Sequence, residues 1–366
     1  MIIVAVFAGF ALGQGGLGLI ELDPTSDFVA VAAIVALVAI LFRDGLEVEG
    51  EMLRSSWHLP LRKLVLAMPV TAALVAVAAR ALTDLSWTEC FLIGALLSPT
   101  DPVLSSSVVT NPRVPRVVRH SLNLESGLND GVALPAVLAF AGALNVNEHG
   151  FVWWKFVLQD VSVGLATGLL VGWVASRVLP ARHGLLALAA AGVAYAVAVL
   201  PPHGNGLIAV FVCAIVLGVR RPDVLAAFEV ESEKLLVVVK LGVFFLFGTL
   251  LTVHGLFGDG LAAVALVAFL LLVARPVAVW LALAGTSADA ATRAFMAWFG
   301  PKGVATMTFA LLVLAESGIA SRERVFNIAA LAVLVSIVAH GLTDRPGSEW
   351  IARHTEREGP RGRVAS

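Results

Sequence analysis

Charge is the first thing this sequence runs short of. Asp, Glu, Lys and Arg make up 14% of its 366 residues, against about 25% in soluble domains. Too few polar side chains remain to clothe a soluble surface around a 59% hydrophobic content. With a mean hydropathy of +0.91, the bilayer is the expected solvent. Lysine is scarcer still, five residues against twenty arginines, and the formal net charge is −1 with no dense basic run. That excludes an electrostatic nucleic-acid arm. There are only two cysteines, Cys90 and Cys213, each inside an apolar segment. Their placement excludes a disulfide framework or a cysteine metal site, and both read as small apolar fillers. The N-terminus MIIVAVFAGFALG lacks a basic n-region and a small-residue cleavage site, so it reads as a first span and not a cleaved leader.

What the chain does have is apolar segments of bilayer length, about 20 residues each. They fall at 2–20, 27–45, 63–83, 87–110, 119–144, 153–177, 184–200, 204–219, 234–254, 260–284, 292–316 and 323–343. Connectors such as SSWHLPLRK, TNPRVPRVVRH, PPHGN and RRPDV separate them. The expected fold is an all-α multi-span membrane protein of about twelve helices, residues 1–344, with a short tail at 345–366. Eighteen of the 25 basic residues, Lys63 among them, lie on the side that holds both termini. Four (Arg80, Lys155, Arg322 and Arg324) lie on the other, and Lys240, Arg275 and Lys302 fall within spans. The positive-inside rule then puts both ends in the cytoplasm.

Two spans are interrupted. Span 4 reads CFLIGALLSPTDPVLSSSVV and span 11 reads AFMAWFGPKGVATMTFALL. Proline removes an amide donor and breaks a helix, and irregular backbone survives at mid-depth only inside protein or beside a cavity. The breaks lie seven spans apart, so the two spans cross in opposite directions. Paired discontinuous helices in opposed halves point to an inverted-repeat transporter, spans 1–5 against 8–12, with its site at the midplane.

Buried charge is costly, so residues that keep it are paired or functional. Asp101 stands just before Pro102, at the expected N-cap of the second half of span 4. Lys302 is expected to compensate the partial negative end of the first half of span 11. Span 5 carries ESGLNDGVALP at 125–135. Glu125 and Asn129 share one helix face, and Ser126 and Asp130 the neighbouring one. Glu125 is offered to Arg275 as a neutral buried pair. Asp130, with Ser126, faces the broken helices. A lone buried carboxylate resists ionising, so it is poised to hold a proton or a small hard cation in turn. Oxygens of Thr100, Ser126, Asp130 and unwound carbonyls near Ser98 suit such a cation. With Asn-Asp in place of two aspartates, one proton for one cation is expected, without net charge movement.

At these residues the chain resembles the cation–proton antiporter 1 family, the NhaP-type bacterial sodium/proton antiporters. The matching pieces are SPTDPVLSS at 98–106, LNLESGLNDG at 122–131, LFRDGLEV at 41–48, ARPVAVW at 274–280 and FGPKGV at 299–304. The resemblance implies that Asp130 binds the ion and the proton. Asn129, Thr100, Asp101 and Ser126 would stand around the ion, Asp44 would be an auxiliary carboxylate, and Glu125 and Arg275 would form a structural pair. It further implies Na⁺ (or Li⁺ or K⁺) and H⁺ as cargo, no cofactor, no enzyme activity, and a bacterial plasma-membrane homodimer. Spans 3–5 and 10–12 would be the moving core, and spans 1, 2, 8 and 9 the interface panel. Lys302 stands where the family usually has arginine, and the tail holds no regulatory domain. Span 2 places Asp44 near the cytoplasmic edge. A channel would need a continuous polar stripe, where polarity here clusters at mid-depth. An intramembrane aspartyl protease or a sensor has no matching motif or output domain. A sodium-coupled solute symporter and a K⁺/H⁺ exchanger share the same architecture. His149, His203 and His254 fall in expected outside loops, and His58, His120 and His183 inside.

Overall fold

Inside a bilayer no backbone N–H or C=O can be left to water, so helices close their own bonds. The computed structural model describes residues 1–48, 58–101, 111, 114–145, 151–180, 183–201 and 203–358, and there the long elements are helices. They are α1 (Ile2–Leu12), α2 (Asp27–Leu46), α3 (His58–Leu82), α4 (Trp87–Leu97), α5 (Arg116–Leu144), α6 (Trp153–Val178), α7 (Gly184–Val199), α8 (Gly206–Arg220), α9 (Pro222–Thr249), α10 (Gly260–Ala282), α11a (Ala290–Trp298), α11b (Val304–Ala315) and α12 (Arg322–Glu358). These follow the twelve expected spans in order. The second half of span 4 from Pro102 onward lies outside the described residues, as do Arg54, Arg113, Arg182, His149, Arg361 and Arg363.

Three boundaries differ from expectation. α1 stops at Leu12, because Gly13 lies so close to Thr249 that a Cβ would stand 2.3 Å from its carbonyl oxygen. α9 begins at Pro222, inside the stretch read as a connector; proline is favoured at the first helical position, where its missing N–H costs nothing. α12 runs on through Pro346 to Glu358, because Ile351 and Ala352 are buried beyond the expected end.

Small residues set the spacing. Gly164, Gly168 and Gly172, one turn apart on α6, meet backbone atoms of Asn205, Ala209 and Cys213 so closely that a methyl group at any of them would collide. Close backbone approach of this kind is how helices associate where lipid tails are as apolar as leucine. α2 packs against α5, α8 and α11b, which puts it beside the polar island of span 5 and the second half of broken span 11.

The repeat also shows in helix winding. α3 contains a π-helical turn at Lys63–Ala67, followed by Pro69, and α10 contains one at Leu270–Ala274, followed by Pro276. Each proline removes the N–H that would close the preceding turn. Spans 3 and 10 are seven apart, like the two breaks, so two positions of the inverted repeat carry matching irregularities.

Candidate ion-binding site

The two breaks lie against each other. After α4 the chain is non-helical from Ser98 to Asp101, and α11a and α11b are separated by Phe299–Gly303. The amide of Asp101 donates to the carbonyl of Pro301 at 2.8 Å. The amide of Val304, first residue of α11b, donates to Asp101 Oδ2 at 3.1 Å. Lys302 Nζ donates to the carbonyls of Ser98 (3.2 Å) and Pro99 (2.9 Å), where α4 ends. Each charge therefore serves the opposite span. Lys302 compensates a helix dipole, but that of α4 and not of its own half-helix. The carbonyls near Ser98, expected at the ion, go to Lys302 instead. Asp101 faces the positive end of α11b; the cap expected on its own span lies outside the described residues.

This crossing tolerates no bulk. A Cβ at Gly303 would stand 2.4 Å from Asp101 Oδ2, and one at Gly300 would stand 1.9 Å from the Arg275 guanidinium carbon. α12 braces the break. The amide of Lys302 donates to Ser336 Oγ at 2.8 Å. His340 Nε2 reaches the Trp298 carbonyl, the open end of α11a, at 2.9 Å, and its Nδ1 lies 2.8 Å from the Ser336 carbonyl and 3.1 Å from Ser336 Oγ. Sequence reasoning missed Ser336 and His340, which look like isolated polar residues in an apolar span.

α5 brings the polar island to this crossing. Asn129 Nδ2 donates to the carbonyl (2.7 Å) and the hydroxyl (3.0 Å) of Thr100. Asn129 Oδ1 and Asp130 Oδ1 are buried without a hydrogen-bond partner. Asp44 is buried too, and its carboxyl lies within hydrogen-bonding reach of Asp130. Asp44 lies two residues before the end of α2, where the sequence placed it, yet it is buried because α2 packs on α5. A Cβ at Gly127 would stand 3.1 Å from the carbonyl oxygen of Asp44. Among the described residues no basic side chain is ion-paired to Asp130. Ser126 is half-buried one turn before it. Unpartnered oxygens beside an isolated acid fit a hard cation or a proton, which would here be cargo.

Glu125 is the opposite case. Arg275 Nη2 lies 3.4 Å from Oε1, and Lys63 Nζ lies 2.5 Å from Oε2. Arg275 also faces the carbonyls of Met296 (3.5 Å) and Phe299 (3.4 Å). The expected neutral pair is thus a triad of two cations and one anion. Lys63, counted from sequence among the basic residues on the side of both termini, is 1% exposed. Its π-helical turn widens α3 toward α5, and the turn in α10 ends at Arg275.

Two cavities lie against α2, one beside its middle and one at its C-terminal end. One, of about 510 Å³, is lined by Ile34, Val137, Ala141, Tyr195 and Glu316 among others. The other, of about 320 Å³, is lined by Arg43 and Glu47 of α2 and by Glu229, Glu233 and Lys240 of α9. Ile34 and Arg43 are separated by roughly 14 Å along a helix at 1.5 Å per residue.

The transmembrane sodium/hydrogen exchanger family model matches residues 1–349. The chain is 29% identical over 370 residues to the K(+)/H(+) antiporter NhaP of Alkalimonas amylolytica, covering 98% of this chain and 63% of that protein. It is 27% identical over 351 residues to the K(+)/H(+) antiporter NhaP2 of Shewanella sp. strain ANA-3, covering 93% and 61%. The Na(+)/H(+) antiporter NhaG of Bacillus atrophaeus is 26% identical over 383 residues, covering 98% and 71%. The chain therefore spans about three fifths of the length of the first two relatives. Among solved structures, the sodium proton antiporter MjNhaP1 of Methanocaldococcus jannaschii at pH 8 superposes with a TM-score of 0.83 at 16% identity, covering 96% of this chain and 92% of that one. That likeness concerns the fold.

Proposed function

Because the chain belongs to the transmembrane sodium/hydrogen exchanger family, we propose that it exchanges a monovalent cation for a proton by alternating access, with Asp130 holding each in turn. The observation that carries this reading is the pair of orphaned buried oxygens, Asp130 Oδ1 and Asn129 Oδ1, beside Asp44 where the broken spans meet. Asp130, Asn129, Thr100, Ser126 and Asp44 supply oxygens to the cation. Asp101 and Lys302 hold the two broken ends together, and Glu125 and Arg275 brace them from the other face of α5. A proton and a metal ion compete for the same carboxylate. Na⁺ is the cation proposed, and K⁺ the second reading, since relatives with both names are similar to this chain.

The exchange is one for one and electroneutral, with Asp44 opposed by Arg43, which leaves Asp130 as the exchanging acid. Spans 3–5 and 10–12 form the moving core, spans 1, 2, 8 and 9 the panel of a homodimer, and both termini face the cytoplasm of a bacterial plasma membrane. Separate cavities against the middle and the C-terminal end of α2 support two-sided access.

Proton flux followed by a pH-sensitive dye in vesicles, on addition of Na⁺, Li⁺ or K⁺, tests the reading. Wild type should exchange and Asp130→Asn should not; exchange retained in that variant removes Asp130 from the mechanism. A rate that tracks imposed membrane voltage would overturn electroneutrality alone.

A further inference from the structure

Arg43 does more than oppose Asp44: it stands between the cavity of about 320 Å³ and the buried acids. It lines that cavity together with Glu47, Glu229, Glu233 and Lys240. Its Nη2 is ion-paired to Glu47 Oε1 at 2.6 Å, while its Nη1 lies 3.6 Å from Asp44 Oδ1. Asp44 in turn reaches Asp130, and Asp101 is close enough to act electrostatically on the guanidinium. The Arg43 side chain is 26% exposed, against 9% for Asp44. One cation on a long stem thus has two anionic partners, one facing the cavity and one facing the site. The bond to Glu47 is short and direct, and the contact with Asp44 is longer than a hydrogen bond.

We propose that Arg43 is a tethered competitor for the transported cation: its guanidinium spans Asp44 and Glu47 when no cation is held, and withdraws to Glu47 alone when a cation arrives through the cavity that Arg43 lines. This rests on the exchange reading above and adds a positioning residue that sets cation affinity on one face. The charge balance follows directly. A monovalent cation beside Asp44 and Asp130 repels the guanidinium that lies 3.6 Å from Asp44 Oδ1, and the repulsion is relieved as the arginine withdraws toward Glu47. No covalent step is involved. Of the other charges around Arg43, Glu229 and Glu233 on α9 share the role of Glu47 by offering an outward partner, and Lys240 on α9 opposes the outward shift.

Two variants pull in opposite directions. Arg43→Gln removes the competitor, so the half-saturating cation concentration should fall. Glu47→Gln removes the outward partner and leaves the guanidinium to Asp44, so it should rise. A partly exposed charge pair of this kind supports changes of about threefold to tenfold. Arg43→Lys, which keeps the charge, should stay near wild type. The measurement is dye-monitored exchange in everted vesicles, titrated with Na⁺ and with K⁺ at fixed pH. A clamp that only holds the end of α2 in place would lower the maximal rate in both variants and leave half-saturation unmoved; that result, or shifts of the same sign, overturns the inference. If Arg43→Gln does not accumulate, the sign of the Glu47→Gln shift alone decides. Loss of exchange in Asp130→Asn combined with unmoved half-saturation in these variants sinks only the role of Arg43. Retained exchange in Asp130→Asn sinks the exchange reading itself.

Discussion

Glu125 and Asp130 stand five residues apart on one helix, both buried, in opposite circumstances. Glu125 is held between Lys63 and Arg275, with 2.5 and 3.4 Å contacts. Asp130 has another carboxyl, Asp44, within reach and an oxygen that nothing satisfies. A buried charge that is over-compensated is fixed in place, and one that is under-compensated must find a counter-ion from outside the fold. The same helix therefore carries a brace on one face and, in the proposed exchange, the ion site on the other. What separates them is which helices face them: α3 and α10 bring Lys63 and Arg275 to Glu125, and α2 brings Asp44 to Asp130.

The largest effect should come from unsettling the brace. Glu125→Gln leaves two buried cations without their anion, a loss of about 3–5 kcal/mol by analogy with broken buried pairs. Thermal unfolding of the detergent-solubilised protein should show it as a large drop or a failure to accumulate. Adding Lys63→Met to that variant removes one stranded charge and should recover part of the loss. If the double variant is no more stable than the single one, Lys63 and Glu125 are not coupled in the way the geometry implies. Next in size is Gly300→Ala, whose new methyl group would meet the Arg275 guanidinium inside van der Waals distance. Overpacking there should cost about 1–3 kcal/mol and depress exchange through the same brace. Gly303→Ala presses instead on Asp101. It should weaken the cap on α11b by about 0.5–2 kcal/mol while leaving the Glu125 triad alone. Equal losses from the two glycines would mean that the brace and the crossing are one rigid unit.

Much of this contrast was legible in the sequence. Pro99, Pro102 and Pro301 announce the breaks because they come with polar or glycine residues in the middle of an apolar span, whereas Pro135 and Pro346 lie inside continuous helices. Glu125 and Asn129, and Ser126 and Asp130, sort onto two faces by helical spacing alone. Partners that come from elsewhere in the fold were not legible. Lys63 follows HLPLR and looks like any interfacial cation, and only the packing of α3 on α5 makes it a buried ligand of Glu125. Lys302 and Asp101 each sit beside their own break, and nothing local says that each caps the other span. Asp44 looked peripheral because span counting gives depth without tilt or packing. His340 and Ser336 carry no motif at all. Their role as a brace for Trp298 and Lys302 exists only in three dimensions.

Asp130→Asn should invert the sign seen at Glu125. The amide has nearly the carboxylate's shape, removes a buried charge with no paired cation, and offers an N–H to Asp44. Stability should hold or rise by about 1 kcal/mol, the scale of one added hydrogen bond, while exchange disappears. Paired melting curves for the two glutamine and asparagine variants make the comparison directly. A drop at Asp130 as large as that at Glu125 would mean that Asp130 is a structural ion-pair member and not a carrier.

A third acid marks the small end of the scale. Asp84, in the loop between α3 and α4, accepts a hydrogen bond from Arg324 at the start of α12, and that bond holds its carboxyl below the usual carboxylate range. Arg324 also grips Asp259 just before α10, so it ties together the loops before the fourth and tenth spans. Asp84 has a cation partner, as Glu125 does, but its side chain is 86% exposed, and water and salt screen the pair. For a carboxyl whose folded value is depressed, the stabilisation is complete above the unfolded value of about 3.9 and is lost as pH falls through the lower folded value. Asp84→Asn should therefore melt slightly below wild type at neutral pH. The gap should close as the solution is acidified through that window, and also in high salt. A gap that persists under both conditions would mean that Asp84 contributes through packing, and that exposure does not separate it from Glu125.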